Sequence, residues 1–263
     1  MNVLPGGLGE VRSERPLAGG SIADTRVATL ADGRDVVVKR PPTDARLEAE
    51  GLTALADAGA PVPAVLHVDE RLLVLEHVSG SPAWGALGER LAGVHRGHAG
   101  GTFGWSRDNV IGSLPQPNDP DDDWPRFFAE RRIRPRLAAA ALPDHVRRRL
   151  EAACDGPLRD LLAHGERPSL VHGDLWSGNV VDGRWLIDPA VHRADREVEL
   201  AFADLFGGIP DAFWAGYLGA WPLDEGWEER RPALQFFHLL VHVELFGAGY
   251  VGGVVARLDR LGW

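Results

Sequence analysis

The residues with the clearest chemical potential lie in one stretch, SLVHGDLWSGNVVDGRWLIDPAV, at positions 169–191. Asp174 is followed by Asn179 and then, nine residues further on, by Asp188. In kinases an Asp accepts a hydrogen bond from the attacking hydroxyl, while an Asn and a second Asp hold the magnesium ions on ATP. The spacing therefore predicts phosphoryl transfer, with Asp174 as the base and Asn179 and Asp188 as Mg²⁺ ligands.

Short apolar segments surround these polar residues and are predicted to form the strands that position them. Leu170-Val171 leads into the first motif, and Val180-Val181 and Trp185-Leu186 flank Asp182-Gly183, a pair typical of a hairpin turn. Oxygen ligands on a short hairpin suit a hard cation that keeps waters and substrate phosphates in its shell. Alternatively, Asp174 only caps a turn and Asp182-Gly183 only forms a hairpin turn. This structural interpretation explains each residue on its own but not their occurrence together.

Lys39 is the one lysine among 28 lysines and arginines. It ends DVVVK, a β-branched run typical of a strand. Lysine is a compact point charge and arginine a broad planar fork, so a lysine kept here indicates a site that arginine would not fit. Kinases bring such a strand lysine to the ATP phosphates and pair it with a helix glutamate. The helical pattern at 44–58 offers Glu48 or Glu50; the alternative is a lone lysine on an edge strand.

Two other segments are predicted to contact ATP. Gly19-Gly20-Ser21 stands where a loop would cover the phosphates, although a glycine pair is equally typical of a plain hairpin turn. Glu76-His77-Val78 would form a hinge between lobes and offer backbone groups to adenine. Leu73 and Leu75 would wall the adenine ring or fill the strand core. The chain has no Walker A motif, which argues against a P-loop fold.

The remaining segments predict a strand-rich beginning and a helix-rich remainder. An irregular or helical lead-in is expected at 1–16 and strands are expected at 17–30, 64–68 and 72–76, while Leu47, Leu52 and Leu55 should face inward from the helix at 44–58. Further helices are predicted at 83–96, 124–137, 142–163, 197–206, 212–218 and 231–246. The long loop at 101–123 is expected to be functional because compact domains rarely keep such loops otherwise.

Composition excludes several classes of protein. The net charge of -10 argues against a nucleic-acid or acidic-membrane surface. The single cysteine, Cys154, excludes an internal disulfide framework and a cysteine-rich zinc site. His238, His242 and Glu244 interrupt the apolar run at 236–255, so a membrane span is not expected there. The first 16 residues do not resemble a secretory signal, and we expect a soluble cytoplasmic protein.

Trp176 is a large apolar ring in a loop otherwise made of small and polar residues, two positions after the predicted base. A catalytic loop must face the cleft, so we predict that Trp176 walls the acceptor site. Its ring could pack on the C–H face of a sugar and attract a cationic amine. The alternative is that Trp176 packs against the 109–118 loop and holds it in place.

The chain as a whole resembles the fructosamine (ketosamine) kinases of the aminoglycoside phosphotransferase and choline kinase superfamily. The resemblance rests on GGSI, VVVK, EAEGLTAL, FGWSRDNVIGSLPQPN, DWPRFFAERRIRPRL, HGDLWSGNV, IDPAV and DREVELAFADLFGG. It implies an α+β, protein-kinase-like bilobal fold, with a nucleotide-binding lobe at 1–77 and a catalytic and acceptor-binding lobe at 78–263. On the family pattern, Glu48 is favoured over Glu50 as the partner of Lys39.

The resemblance also implies an activity, namely Mg²⁺- and ATP-dependent phosphorylation of the 3-hydroxyl of a ketosamine, free or on a protein. The phosphorylated product would then break down and release the amine. A kinase of the aminoglycoside or choline type would keep the same catalytic residues with different acceptor contacts. An ATP-binding pseudokinase would bind the nucleotide without transferring phosphate, but such proteins usually lack the base or a metal ligand. The sequence does not specify the sugar, the amine or the oligomeric state.

Overall fold

The computed structural model describes residues 3–17, 23–164 and 167–263, so the Gly19-Gly20-Ser21 prediction lies outside the described residues. The first part of the chain is a six-stranded antiparallel sheet with the strand order β1-β2-β3-β4-β6-β5. Its strands are β1 (Val3–Leu4), β2 (Gly9–Pro16), β3 (Asp24–Leu30), β4 (Asp35–Arg40), β5 (Val65–Val68) and β6 (Leu73–Glu76). Helix α1 (Ala45–Asp57) lies between β4 and β5 in the chain.

The alternation of side chains along β4 explains how Lys39 reaches the interior. Successive residues of a strand point to opposite faces. Val36 and Val38 are buried on one face, in a cluster with Leu30. Lys39 shares the other face with Val37, which packs against the cluster that contains α1. The β-branched run is thus a strand, as predicted, and it delivers the lysine towards the helix.

The lead-in at 1–16 was predicted as irregular or helical, but most of its described residues are strand, in β1 and β2 with a turn between them, and there the prediction is wrong. β2 pairs with β3 through Glu14↔Ala28 and neighbouring pairs. Its residues are mostly exposed, so no alternation of apolar and polar side chains marks it in the sequence. Backbone pairing with the buried β3 holds it in place. β5 and β6 begin one residue later than predicted and end where predicted.

Helix α1 begins where Asp44 caps it, with the Asp44 carboxylate accepting a hydrogen bond from Arg46 N at 3.0 Å. Leu52 and Leu55 are buried against the sheet, as predicted. Leu47 differs from the prediction because it is only half-buried and lines the cleft beneath the sheet. One face of the helix therefore serves the core and another the cleft.

The remainder of the chain is mainly helical. Its helices are α2 (Trp84–Gly97), α3 (Trp124–Phe127), α4 (Arg134–Ala139), α5 (Asp144–Cys154), α6 (Pro157–Leu162), α7 (Arg196–Leu205), α8 (Asp211–Ala220), α9 (Trp227–Leu234), α10 (Phe236–Phe246) and α11 (Val251–Leu261). A π-helical segment, Phe128–Ile133, joins α3 to α4. The helix predicted at 142–163 is broken before Pro157, and that at 231–246 is divided at Gln235. None of the described helices is long and apolar enough to cross a bilayer.

Three two-stranded sheets lie within this helical part. β7 (Asn109–Ile111) pairs with β8 (Leu114–Gln116) inside the long loop at 101–123. β9 (Ser169–Val171) pairs with β12 (His192–Ala194), and β10 (Val180–Val181) pairs with β11 (Trp185–Leu186). The β10–β11 pairing is the predicted hairpin, with its turn at Asp182-Gly183. An antiparallel sheet followed by a helical part is the kinase-like α+β architecture that the sequence indicates.

Candidate active site

The loop after β9 brings the predicted base and the first metal ligand together. Asn179 Nδ2 donates hydrogen bonds to Asp174 Oδ2 at 2.9 Å and to Asp174 O at 2.8 Å. Gly173 has φ +84°, and a Cβ there would lie 2.1 Å from Ala190 O, so this turn requires glycine. The turn is thus held tightly against the segment that follows Asp188.

Lys39 connects the sheet to helix α1 and to Asp188, which follows β11. Its Nζ donates to Glu48 Oε1 at 2.6 Å and to Asp188 Oδ1 at 2.5 Å, and the residue is 6% exposed. Burial by itself lowers the pKa of Lys39, but the two carboxylates outweigh burial and the pKa is raised. The ammonium group therefore stays charged where the predicted metal ligand and the helix glutamate meet.

Glu48, rather than Glu50, faces Lys39. Residues two apart on an α-helix point to nearly opposite sides, because each residue turns the helix by about 100°. The Glu50 carboxylate instead accepts hydrogen bonds from Trp105 Nε1 at 2.8 Å and from Arg107 Nε at 2.8 Å. The two glutamates that the sequence left as alternatives thus have separate partners.

The environment of Asp174 changes its acidity. Burial, with smaller contributions from the carboxylates of Asp188 and Glu199, raises the pKa of Asp174 to about 7, although the hydrogen bond from Asn179 opposes this shift. A carboxylate with a pKa near neutrality can accept a proton effectively at physiological pH. Asp174 therefore has the acidity that the predicted base requires.

A chain of buried polar side chains supports the Gly173 turn, and no motif in the sequence had indicated these residues. Glu199 Oε2 accepts a hydrogen bond from Gly173 N at 2.7 Å, and its Oε1 lies 2.9 Å from His95 Nε2. His95 Nδ1 lies 2.8 Å from the hydroxyl of Tyr217. Charged and polar groups this deeply buried are retained when their hydrogen bonds are satisfied. Helices α2, α7 and α8 thus all contribute to holding the catalytic loop.

Polar side chains also attach the predicted functional loop at 101–123 to the catalytic segment. Asn109 Nδ2 donates to Val191 O at 2.7 Å, and Gln116 Nε2 donates to Asn109 Oδ1 at 2.8 Å and to Ala190 O at 3.1 Å. Buried Arg132 donates to Asn118 Oδ1 at 2.7 Å. These bonds place β7 and the turn after it beside the segment that follows Asp188.

A cleft runs between the sheet and the helical part and brings most of the predicted residues together. Among the described residues, its walls come from the sheet and α1, from the β7 hairpin, from the catalytic loop and from α10. The members predicted from sequence are Lys39, Glu48, Asp174, Trp176, Asn179 and Asp188. Others include Asn109, Val110, Gly112, Val241, His242 and Phe246. The α10 residues are a part of the site that the sequence did not indicate.

Trp176 lies at the rim of this cleft and is 37% exposed. Its ring covers Gly178, where an added Cβ would come within 2.3 Å of the indole. His242 and Phe246 line the same cleft, with their ring centroids 5.4 Å apart. The exposed ring of Trp176 is therefore accessible to a ligand in the cleft.

The predicted hinge residues are not among the described residues that line this cleft. Glu76 ends β6, and Glu76 N donates to Ala64 O at 2.9 Å; His77 and Val78 follow. Leu73 and Leu75 are buried in the cluster that contains α1. The strand-core interpretation of these two leucines thus accounts for their position.

A family model and known proteins match almost the whole chain. A family model described as fructosamine kinase matches residues 5–261. A probable ketoamine kinase of Thermus thermophilus is 38% identical over 249 residues, which cover 91% of this chain and 90% of that protein. The solved structure of a fructosamine-3-kinase candidate from Thermobifida fusca has a TM-score of 0.85 and 38% identity, covering 95% of each chain.

More distant structures show the fold alone. A choline/ethanolamine kinase family protein from Mesorhizobium loti has a TM-score of 0.59 and 17% identity, covering 95% of this chain and 87% of that one. This similarity extends over both the sheet and the helical part. The architecture is therefore that of the kinase-like phosphotransferases.

Proposed function

The chain belongs to the fructosamine kinase family, and we propose that it transfers the terminal phosphate of ATP to the 3-hydroxyl of a ketosamine. The observation that carries this proposal is the assembly of Lys39, Glu48, Asp174, Asn179 and Asp188 around one cleft. Each residue has the side chain that phosphoryl transfer needs at its position. Membership of the fructosamine kinase family supports a ketosamine as the acceptor. Breakdown of the phosphorylated product would then release the amine.

In the proposed reaction, Asp174 accepts the proton of the attacking substrate hydroxyl, and the oxygen of that hydroxyl forms a bond to the terminal phosphorus of ATP. The bond from that phosphorus to the bridging oxygen breaks, and ADP leaves. Asn179 orients Asp174 through its Nδ2, and Lys39 offers its ammonium group to the phosphates. Raising the pKa of Asp174 to about 7 strengthens it as a proton acceptor.

The donor set fits Mg²⁺. Asn179 uses Nδ2 for both of its bonds to Asp174, so its amide oxygen remains the atom for a cation, and Asp188 supplies a carboxylate. Amide and carboxylate oxygens are the ligands that Mg²⁺ prefers. When bound, Mg²⁺ would neutralise charge on the ATP phosphates.

The other nucleotide contacts remain part of the proposal. Gly19-Gly20-Ser21 would cover the phosphates, and the backbone at Glu76-His77-Val78 would meet the adenine edge. The lobes would divide at residues 77 and 78, with ATP between them. We place the enzyme in the cytoplasm, where ATP is abundant.

We propose that the acceptor lies against Trp176. The exposed indole at the rim of the cleft supports this role, because a ketosamine presents both a polyhydroxyl chain and a protonated amine. Both free and protein-bound ketosamines could approach a rim residue.

An acceptor panel tests the function. ADP release with MgATP would be measured on ribulosamine, fructosamine and erythrulosamine, with choline and an aminoglycoside as rivals and Asp174→Asn as the inactive control. We expect turnover on at least one ketosamine. NMR of the product should show the phosphate on the oxygen of the third carbon. Turnover confined to choline or the aminoglycoside would refute the ketosamine assignment, and ATP binding without any transfer would indicate a pseudokinase.

A further inference from the structure

Glu50 is bound by three consecutive residues of the helical part of the chain. Its Oε1 accepts hydrogen bonds from Trp105 Nε1 at 2.8 Å and from Ser106 Oγ at 3.3 Å. Its Oε2 accepts from Arg107 Nε at 2.8 Å and also from Arg107 Nη2. We name these contacts the Glu50 anchor. The anchor joins α1 to the loop that leads into β7.

Helix α1 also rests directly on the segment after Asp188. A Cβ at Gly51 would lie 3.2 Å from Pro189 Cγ and 3.2 Å from Val191 Cγ2, which leaves little room for any larger residue. Close packing at Gly51 sets the distance of the helix from the catalytic segment. The Glu50 anchor, beside it, sets the rotation of the helix about its axis.

The rotation of α1 matters because Glu48 lies on the opposite side of the helix from Glu50. When Glu50 is held by the loop, Glu48 points towards the sheet and meets Lys39 at 2.6 Å. We propose that Glu50 is a positioning residue, which fixes α1 so that Glu48 holds Lys39 where ATP phosphates bind. The inference rests on the proposed function for the role of Lys39.

The same loop continues into the acceptor side of the cleft. Asn109, two residues after Arg107, donates to Val191 O at 2.7 Å and lines the cleft. The anchor therefore connects the lysine side of the site with the wall that faces the acceptor. Because coupling between two sites is reciprocal, an acceptor that orders this wall should also strengthen nucleotide binding.

Titration calorimetry with MgATP in the absence of acceptor tests the anchor. Glu50→Ala should weaken nucleotide binding roughly 5- to 150-fold, the usual range for coupled sites. Thr53→Ala is the matched control, since Thr53 is exposed on the same helix and, in the described part of the chain, its hydroxyl donates a hydrogen bond only to Ala49 O, at 2.7 Å. This control should bind like the wild type.

A double-mutant cycle separates positioning from general destabilisation. If Glu50 acts through Glu48, then Glu50→Ala should weaken binding much less in a Glu48→Gln background than in the wild type. Equal effects in both backgrounds would overturn the proposal, as would unchanged affinity in Glu50→Ala.

Arg107→Ala provides a second variant that should keep the fold, because its side chain is 48% exposed. It removes the Oε2 contacts and leaves those from Trp105 and Ser106, so we expect a smaller loss of affinity in the same direction. Wild-type affinity in Arg107→Ala would refute the anchor, as an additive cycle would by itself. A failure of ketosamine turnover with the binding cycle as expected would instead refute the proposed function alone.

Discussion

Replacing Asp174 with asparagine tests the proposed base with little change of shape. The new amide oxygen can still accept the hydrogen bond that Asn179 Nδ2 makes at 2.9 Å, so the loop should keep its conformation. What is lost is the ability to accept a proton from the substrate. A positioned base contributes roughly 100- to 10,000-fold to rate, and we therefore expect kcat to fall at least about 100-fold, or about 2.7 kcal/mol.

The same substitution should have little effect on nucleotide binding. Lys39 bonds to both Glu48 and Asp188, and in the described part of the chain none of these three side chains bonds to the carboxylate of Asp174. Calorimetry with MgATP should give an affinity within a few fold of the wild type. A coupled ADP assay at saturating ketosamine and ATP then measures the chemical loss separately.

Asp182→Asn is the matched control for this experiment. Asp182 lies in the turn of the same hairpin with φ +52°, a conformation that asparagine tolerates, and its carboxylate accepts a hydrogen bond from Gly80 N at 3.0 Å. The control should retain near-normal turnover. Near-normal turnover in Asp174→Asn itself would refute its assignment as the base.

Three other substitutions probe the lysine, the rim and a buried ion pair. Lys39→Arg should lower turnover nearly as much as Lys39→Ala, because the broad guanidinium of arginine does not fit between carboxylates that lie 2.6 and 2.5 Å from the lysine ammonium. An arginine variant that kept most of the wild-type rate would contradict this. Trp176→Ala should raise the ketosamine KM roughly 5-fold with Tm and ATP affinity little changed, as contacts of about 1 kcal/mol imply; a large fall in Tm at normal KM would show a structural ring. His164 lies 2.8 Å from Asp195, and although burial opposes it, this bond raises the pKa of His164. His164→Gln should therefore lower Tm most below about pH 6.5 and progressively less as pH rises through the folded pKa; a pH-independent loss would refute the charged pair.

The sequence predicted those parts of the site that depend on neighbours in the chain. Asp174, Asn179 and Asp188 lie within 15 residues, on either side of the β10–β11 hairpin, so their spacing largely determines that they lie close together. Lys39 was recognisable because a charged residue ended a β-branched run. Local pattern was sufficient in both cases.

Long-range partners and exposed strands could not be predicted in this way. β2 has few apolar residues and is strand because β3 offers it a backbone partner. Glu199 reaches Gly173 across 26 residues and His95 across 104, and an acidic residue in a helix is more often solvated than buried. Glu50 likewise finds its partners 55 to 57 residues away. Such contacts exist only after the chain has folded.

The charges of the site explain why it should take cations. Burial is the largest cause of the raised pKa of Asp174 and of Glu48, and the nearby Asp188 carboxylate raises both pKa values further. A carboxyl group whose folded pKa is raised stabilises the fold only while it is protonated, so its contribution is lost as pH rises from about 4 through the folded value. At neutral pH the ionised form of Asp174 therefore costs stability. A bound cation near Asp188 would offset part of that cost, so the burial that is expected to make Asp174 a base would also favour metal binding.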